Sequence, residues 1–193
     1  MVRTSIVLLL LALLIGLLLY FRVPPASVLR ARQFVGVQSC KGCHATPASG
    51  DQFGTWRSSA HATAFAALRS DSAIQYAHQH QSPTPDTDPE CLRCHTTGYG
   101  TAAGEHGPSY RQEEGVTCEA CHGAAGDYSI YAAMRDSKVF VKLGGRRGSE
   151  RYCLQCHAAS LSDAHCPFQH EPFAARTAMR AIAHPLPKKT AAR

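Results

Sequence analysis

The chain has no alternating pattern of apolar and polar residues longer than a few positions, which excludes an extensive β-sheet. Long helical patterns are scarce as well, and the three candidate helices cover residues 52–68, 128–143 and 173–183. Loops are predicted where Gly, Pro and polar residues concentrate, at residues 82–89, 98–108 and 144–148. The sequence therefore predicts a mainly α, loop-rich fold whose own apolar core is thin.

A small-residue cleavage site of the A-x-A kind is also missing near the N-terminus, where an unbroken apolar run extends from Ile6 to Phe21. This run is slightly longer than the usual core of a cleaved signal peptide and slightly shorter than the roughly 20 residues that span a bilayer. We therefore predict an uncleaved signal anchor with one transmembrane helix at residues 1–22, and keep a cleaved signal peptide as the alternative.

The rest of the chain divides into three parts. Residues 23–35 are predicted to form a linker, because Pro24 and Pro25 discourage continuation of the preceding helix. Residues 36–184 are predicted to form one domain, and residues 185–193 a solvated basic tail.

Cysteine and histidine, in contrast, are abundant, with nine and eleven copies. Eight of the cysteines fall in four Cys-x-x-Cys-His motifs, which are Cys40–His44, Cys91–His95, Cys118–His122 and Cys153–His157. In such a motif the two thiols form thioethers with the vinyl groups of a haem, and the histidine binds the iron. Zinc sites and redox-active cysteine pairs do not require a histidine directly after every second cysteine. The repeats therefore predict four covalently bound haem c groups, around which the fold is organised.

The residues assigned to these haems follow from the motifs. The predicted attachment residues are Cys40, Cys43, Cys91, Cys94, Cys118, Cys121, Cys153 and Cys156. The predicted proximal iron ligands are His44, His95, His122 and His157. Cys166 is left over: it is either a buried small residue, or a thiol that forms an intermolecular disulfide, is oxidised, or contacts a haem with His165 beside it.

The charge balance excludes one class of partner. The formal net charge of +6 would be largely cancelled by about eight propionates on four haems. We therefore predict no nucleic-acid partner. Arg22, Arg30 and Arg32 follow the apolar run and would favour a cytoplasmic domain by charge counting. Covalent haem attachment takes place outside the cytoplasm, and we give it more weight than this count.

Seven histidines lie outside the motifs and are candidates for the sixth iron positions: His61, His78, His80, His106, His165, His170 and His184. Two histidine ligands on one iron suit fast electron transfer, while an open sixth position suits binding of a small molecule.

Three further segments carry a family resemblance. Trp56 precedes His61 by five positions, Gly98-Tyr99-Gly100 follows the second motif, and residues 115–123 read Gly-Val-Thr-Cys-Glu-Ala-Cys-His-Gly. Together with the four motifs, they make residues 36–184 resemble the cytochrome c-554 family of tetrahaem electron carriers, which accept electrons from hydroxylamine oxidoreductase in ammonia oxidisers.

The resemblance implies a ligand for two haems. By position, His61 ligates the iron of the fourth motif and His184 that of the third, while the iron of the second motif has His95 alone. The family's usual histidine after the third motif is missing, because residues 123–134 contain none. The first haem then uses Met134, borrows another histidine from His78, His80 and His106, or keeps an open position.

The predicted function is electron transfer between redox protein partners, by a domain held at the periplasmic side of the bacterial inner membrane through a single-pass helix. A carrier is favoured over a catalyst. Two alternatives stay open, reduction of a small nitrogen oxide at an open haem and quinol dehydrogenation that feeds a periplasmic reductase. The second has weaker support, since Cys43-His44-Ala45-Thr46-Pro47 lacks the methionine that such proteins commonly carry near the first motif.

Overall fold

The computed structural model describes residues 10–17, 33–102, 105–158 and 173–184. Its α-helices in chain order are α1 (10–17), α2 (Gln38–His44), α3 (Gln52–Arg57), α4 (Ala64–Ala67), α5 (Asp71–Gln79), α6 (Pro89–His95), α7 (Cys118–His122), α8 (Tyr131–Arg135), α9 (Ser137–Lys142), α10 (Glu150–His157) and α11 (Ala175–Ala181). Two 3₁₀ turns lie at Ala60–Thr63 and Gln112–Glu114. Across the described ranges, extended pairing is limited to an isolated bridge between Phe34 and His106. The prediction of a mainly helical, loop-rich fold is confirmed.

The helix predicted over residues 52–68 is divided into α3, a 3₁₀ turn and α4. The interruption lies at Ser58 and Ser59, whose hydroxyls donate to the backbone oxygens of Gly54 and Trp56. Serine side chains that bond the local backbone compete with helix continuation, and Ser59 adopts an extended conformation. The result is a turn that begins at Ala60 and carries His61.

The helix predicted over residues 128–143 is also divided, into α8 and α9. Asp136 separates the two with an extended backbone, and its carboxylate accepts hydrogen bonds from the N–H groups of Lys138 and Val139. An aspartate in this position caps a new helix rather than continuing the old one. The third predicted helix, residues 173–183, is observed as the shorter α11.

The described core consists of two small clusters. Phe65, Leu68 and Leu92 form one, with Cys91 and Tyr99 packed against it. The other contains Ala125, Tyr128 and Ala133, with Val35, Val139, Phe140 and Leu143 around it. The first cluster includes Leu92, which lies inside the second motif, and the second includes Ala125, which follows the third. The apolar packing therefore helps to position these motifs.

The N-terminal prediction receives no support from the fold. Residues 10–17 are helical with exposed leucines, and no helix in the described ranges is long and apolar enough to cross a membrane. The remainder of the predicted anchor, most of the linker at 23–35 and the tail at 185–193 lie outside the described residues. The transmembrane helix therefore stays a prediction.

Candidate haem site

Each Cys-x-x-Cys-His motif ends a short helix. Helices α2, α6, α7 and α10 have as their last residues His44, His95, His122 and His157. Residues three positions apart lie on the same face of a helix, so the two thiols of each motif project from one side. The histidine follows them at the C-terminal end, where the chain turns away. The four helices thus present the same donor set, two thiols and one imidazole, in the same local order.

Three of the four motif histidines have a fixed tautomer. The Nδ1 atom of His95 lies 2.7 Å from the backbone oxygen of Ala64, and that of His122 lies 2.9 Å from the backbone oxygen of Arg146. Because a carbonyl only accepts hydrogen bonds, Nδ1 carries the proton in both rings. His44 Nδ1 lies 3.2 Å from Gln52 Oε1, an acceptor of the same kind. Nε2 is then unprotonated and able to bind iron, and the hydrogen bond orients the ring.

The motifs lie together in two pairs. The thiols of Cys40 and Cys118 are hydrogen-bonded to each other, which joins the first motif to the third. The thiols of Cys94 and Cys156 are hydrogen-bonded in the same way and join the second motif to the fourth. The bond from Cys156, aided by the positive charge of Arg93, lowers the pKa of Cys94 to about 6. Helix α10 also contacts both α6 and α7, so all the paired motifs form one connected group.

Two histidines from outside the motifs face motif histidines. The rings of His61 and His157 have centroids 6.2 Å apart with an interplanar angle of 56°. Those of His122 and His184 are 5.9 Å apart with an angle of 40°. Two imidazoles that bind one metal through nitrogens about 2 Å from it have centroids roughly 6 Å apart. The structure therefore brings together the same pairs that the resemblance implies, at a spacing that fits an iron between them.

Loss of solvent lowers the pKa of His61, His157 and His184. Neighbouring histidines lower it further for His157 and His184. A lowered pKa keeps the imidazole neutral, which is the form that binds a metal.

A cavity of about 820 Å³ lies between the second and fourth motifs. Its wall combines Cys91, Cys94 and His95 with Cys156 and His157. The remaining wall is largely apolar and includes Ala64, Ala67, Leu68, Ala73 and Tyr76. Attachment thiols and an imidazole beside an apolar wall are the donor set and surroundings that a haem requires.

Buried polar atoms in the segment between the third and fourth motifs fit the acidic edge of a haem. Arg146 Nε and Ser149 Oγ are buried with no hydrogen-bond partner among the described residues. Buried polar groups of this kind are nearly always paired in a folded protein. A carboxylate such as a haem propionate would satisfy them.

Two glutamates, in or just before the third motif, bond the segment that precedes the first motif, and the sequence did not assign them a role. The carboxylate of Glu119 is 1% exposed and accepts hydrogen bonds from the N–H groups of Val35, Gly36 and Ala125 at 2.8–2.9 Å. Glu114 accepts from the N–H of Val37 at 2.8 Å. Burial raises the pKa of Glu119, and its backbone hydrogen bonds oppose that shift. The position of Glu119 between two cysteines is no signal by itself, since Lys41 holds the equivalent place in the first motif and is exposed; the burial of Glu119 creates the need for partners.

The candidates for the first haem are less favourably placed. His106 Nε2 is 3.1 Å from the backbone oxygen of Gly98, and its ring stacks on Tyr110. His78 and His80 are exposed at the end of α5, and His80 stacks on Tyr76. Met134 is 43% exposed on α8. Cys166, His165 and His170 lie outside the described residues.

Comparison with known proteins gives a consistent family. Residues 39–123 match the sequence profile of the family described as cytochrome c554 and c-prime. The cytochrome c-554 of Nitrosomonas europaea is 28% identical over 144 residues, an alignment that covers 64% of this chain and 57% of that protein. The match thus spans little more than half of the relative's length. No solved structure matches the chain significantly. These matches confirm the resemblance seen in the motifs: over residues 39–123 the chain is similar to the cytochrome c-554 family of c-type cytochromes.

Proposed function

We propose that this protein carries four covalent haems and transfers electrons between redox protein partners at the periplasmic face of the bacterial inner membrane. The observation that carries the proposal is the common construction of the four motif helices, each of which ends in a histidine. Three of these histidines have Nδ1 bonded to an acceptor, which leaves Nε2 unprotonated and able to bind a metal. A bound haem supplies an iron that accepts and releases one electron.

The arrangement of the motifs suits a relay. Cys40 and Cys118 are in contact, as are Cys94 and Cys156, and helix α10 contacts the helices of the second and third motifs. Electrons that enter at one motif therefore have short through-protein routes to the others. The pairs His61–His157 and His122–His184 supply two imidazoles each, so oxidation and reduction would change the iron coordination little.

The haem count is tested by mass spectrometry of the denatured holoprotein. We expect four covalent haems in the native sequence. Cys94→Ser and Cys121→Ser should each reduce covalent retention at one motif only, because each removes a single thioether. Cys166→Ser is the matched control, since Cys166 belongs to no motif, and should retain all four. Fewer than four haems in fully matured native protein would overturn the proposal.

Membrane attachment is tested separately from haem binding. Replacing residues 1–22 by a cleavable signal peptide should release the cytochrome from the membrane fraction into the periplasm with its haems intact. The native protein should stay in the membrane fraction, and its intact mass should include residues 1–22. A native protein found soluble in the periplasm, with a shortened N-terminus, would show that the segment is a cleaved signal.

A second function, reduction of a small nitrogen oxide, is favoured by the cavity at the second motif. Among the described lining residues, the histidines other than His95 are His61 and His157, which face each other. The haem of His95 would then have an open position within a largely apolar cavity. Turnover of nitric oxide by the reduced protein tests this function. Binding without turnover would leave electron transfer as the activity.

A further inference from the structure

Arg146 contacts the third motif through both its backbone and its side chain. Its carbonyl oxygen accepts the hydrogen bond from His122 Nδ1 at 2.9 Å. Its N–H donates to the carbonyl oxygen of His122 at 2.8 Å. These two bonds fix the residue beside the proximal histidine, although it belongs to the loop before α10.

The guanidinium group of Arg146 packs against an aromatic ring, and one of its nitrogens is buried. Its central carbon lies 4.6 Å from the ring centroid of Tyr152, a residue that is 8% exposed. The Nε atom is buried and has no hydrogen-bond partner in the described part of the chain. A buried guanidinium nitrogen without an acceptor costs about 1–3 kcal/mol, and more for a charged group. This position is therefore suited to an anionic acceptor.

Gly123, the residue directly after His122, leaves the space that Arg146 occupies. A Cβ atom at position 123 would lie 3.1 Å from Arg146 Nε and 2.9 Å from the backbone oxygen of Gly144. The φ angle of Gly123 is +86°, which also favours glycine. The glycine that ends the third motif thus allows the arginine to approach the histidine closely.

We propose that Arg146 binds a propionate carboxylate of the haem attached to the third motif. The inference rests on the proposed function, because it requires a haem at Cys118, Cys121 and His122. Guanidinium groups bind carboxylates through directed, paired hydrogen bonds, and the bond is strong where water is excluded. Arg146 then has two roles at one haem, since it orients the proximal histidine with its backbone and holds an acid group with its side chain.

The test compares Arg146→Gln with Arg147→Gln in the holoprotein. The two substitutions remove the same charge from adjacent positions, but Arg147 is exposed. Resonance Raman spectra report the propionate bending band, and an anaerobic redox titration reports the midpoint potentials. Arg146→Gln should shift the band and lower one potential, because loss of a nearby positive charge favours ferric iron. Arg147→Gln should leave both unchanged. Equal spectra and equal potentials in the two variants would overturn the inference.

Two further measurements separate other causes. Arg146→Lys keeps the charge but loses the planar pair of donors, so its propionate band should shift from the native position by less than that of Arg146→Gln. If the glutamine variant matures poorly, the shift of the lysine variant from the native band still tests the inference. An unshifted band in Arg146→Lys would count against the inference. Phosphate added to the native protein should not change the potential, because the acceptor is part of the haem. A phosphate-dependent potential that disappears in Arg146→Gln would assign the site to a free anion instead. Fewer than four haems by mass in the native protein would be a failure of the proposed function itself.

Discussion

His61, in the 3₁₀ turn Ala60–Thr63, faces His157 at the end of α10, with ring centroids 6.2 Å apart. The position of His61 is set by its backbone, whose oxygen accepts a hydrogen bond from the N–H of Val116 at 3.0 Å. The Trp56 indole N–H in turn donates to the oxygen of Val116 at 2.8 Å. A Cβ atom at Gly115 would lie 2.7 Å from the His61 oxygen. The segments at Trp56–His61 and 115–123 that carry the family resemblance thus contact each other, and their contact fixes the histidine.

We expect His61→Ala to convert one low-spin haem to high-spin, because water is a weaker-field ligand than imidazole. Low-temperature EPR of the oxidised protein measures the two populations. His78→Ala is the matched control, since His78 is exposed on α5, and it should leave the spectrum unchanged. An unchanged spectrum in His61→Ala would mean that the pairing with His157 is a packing contact only.

His184→Ala should make the same conversion at a different haem. The ring of His184 lies 5.9 Å from that of His122, which belongs to the third motif and not the fourth. The double variant His61→Ala/His184→Ala should therefore lose two low-spin signals, each matching the loss in one single variant. If both single variants lost the same signal, the two histidines could not serve different irons.

The sequence predicts those parts of the site whose residues are adjacent in the chain, and it misses those that depend on contacts between distant segments. The four motifs are contiguous, so their residues and their chemistry follow from spacing alone. His61 and His184 are isolated in the sequence and were assigned through the resemblance. Glu119 and Arg146 went unassigned, because the role of Glu119 depends on contacts with Val35 and Gly36 and that of Arg146 on its approach to Gly123. Such contacts form only when segments distant in the chain pack together.

The same distinction applies to the fold. Helices were predicted from apolar periodicity and loops from Gly, Pro and polar clusters, and the mainly helical, loop-rich character of the fold is confirmed. The breaks at Ser59 and Asp136 were missed, because side-chain caps interrupt patterns that periodicity treats as continuous. Helix α5 was also missed, although Ser70 accepts a hydrogen bond from the N–H of Ala73 at its start and Asp71 lies in its first turn.

Glu119→Gln should destabilise the protein by roughly 2–4 kcal/mol, because one oxygen is replaced by an NH₂ group that faces backbone donors. That cost corresponds to a Tm lower by about 10 °C in a chain of this size. Thermal unfolding followed at the Soret band measures the change. Glu113→Gln, at an exposed position in the preceding 3₁₀ turn Gln112–Glu114, should leave Tm within about 2 °C of the native value. Equal Tm values in the two variants would show that the buried carboxylate does not hold residues 33–37 in place.

The last prediction concerns the first haem, for which His106 is a candidate ligand. The Nε2 atom of His106 is 3.1 Å from the oxygen of Gly98 and 3.0 Å from Thr101 Oγ1, and its ring stacks on Tyr110 with centroids 4.1 Å apart and an interplanar angle of 5°. Since the Gly98 carbonyl only accepts, Nε2 carries a proton and is engaged in holding this loop.

We therefore expect His106→Ala to leave the EPR spectrum unchanged while it lowers stability by about 1–2 kcal/mol, through loss of the stacking and hydrogen bonds. His61→Ala is the positive control for a lost ligand. Met134→Leu preserves volume and removes the sulfur, so it tests the thioether alternative. In an anaerobic redox titration of this variant, loss of a high-potential haem would identify Met134 as the ligand. A new high-spin signal in His106→Ala would reverse the assignment, because it would mean that the loop opens on haem binding and gives up its histidine to the iron of Cys40, Cys43 and His44.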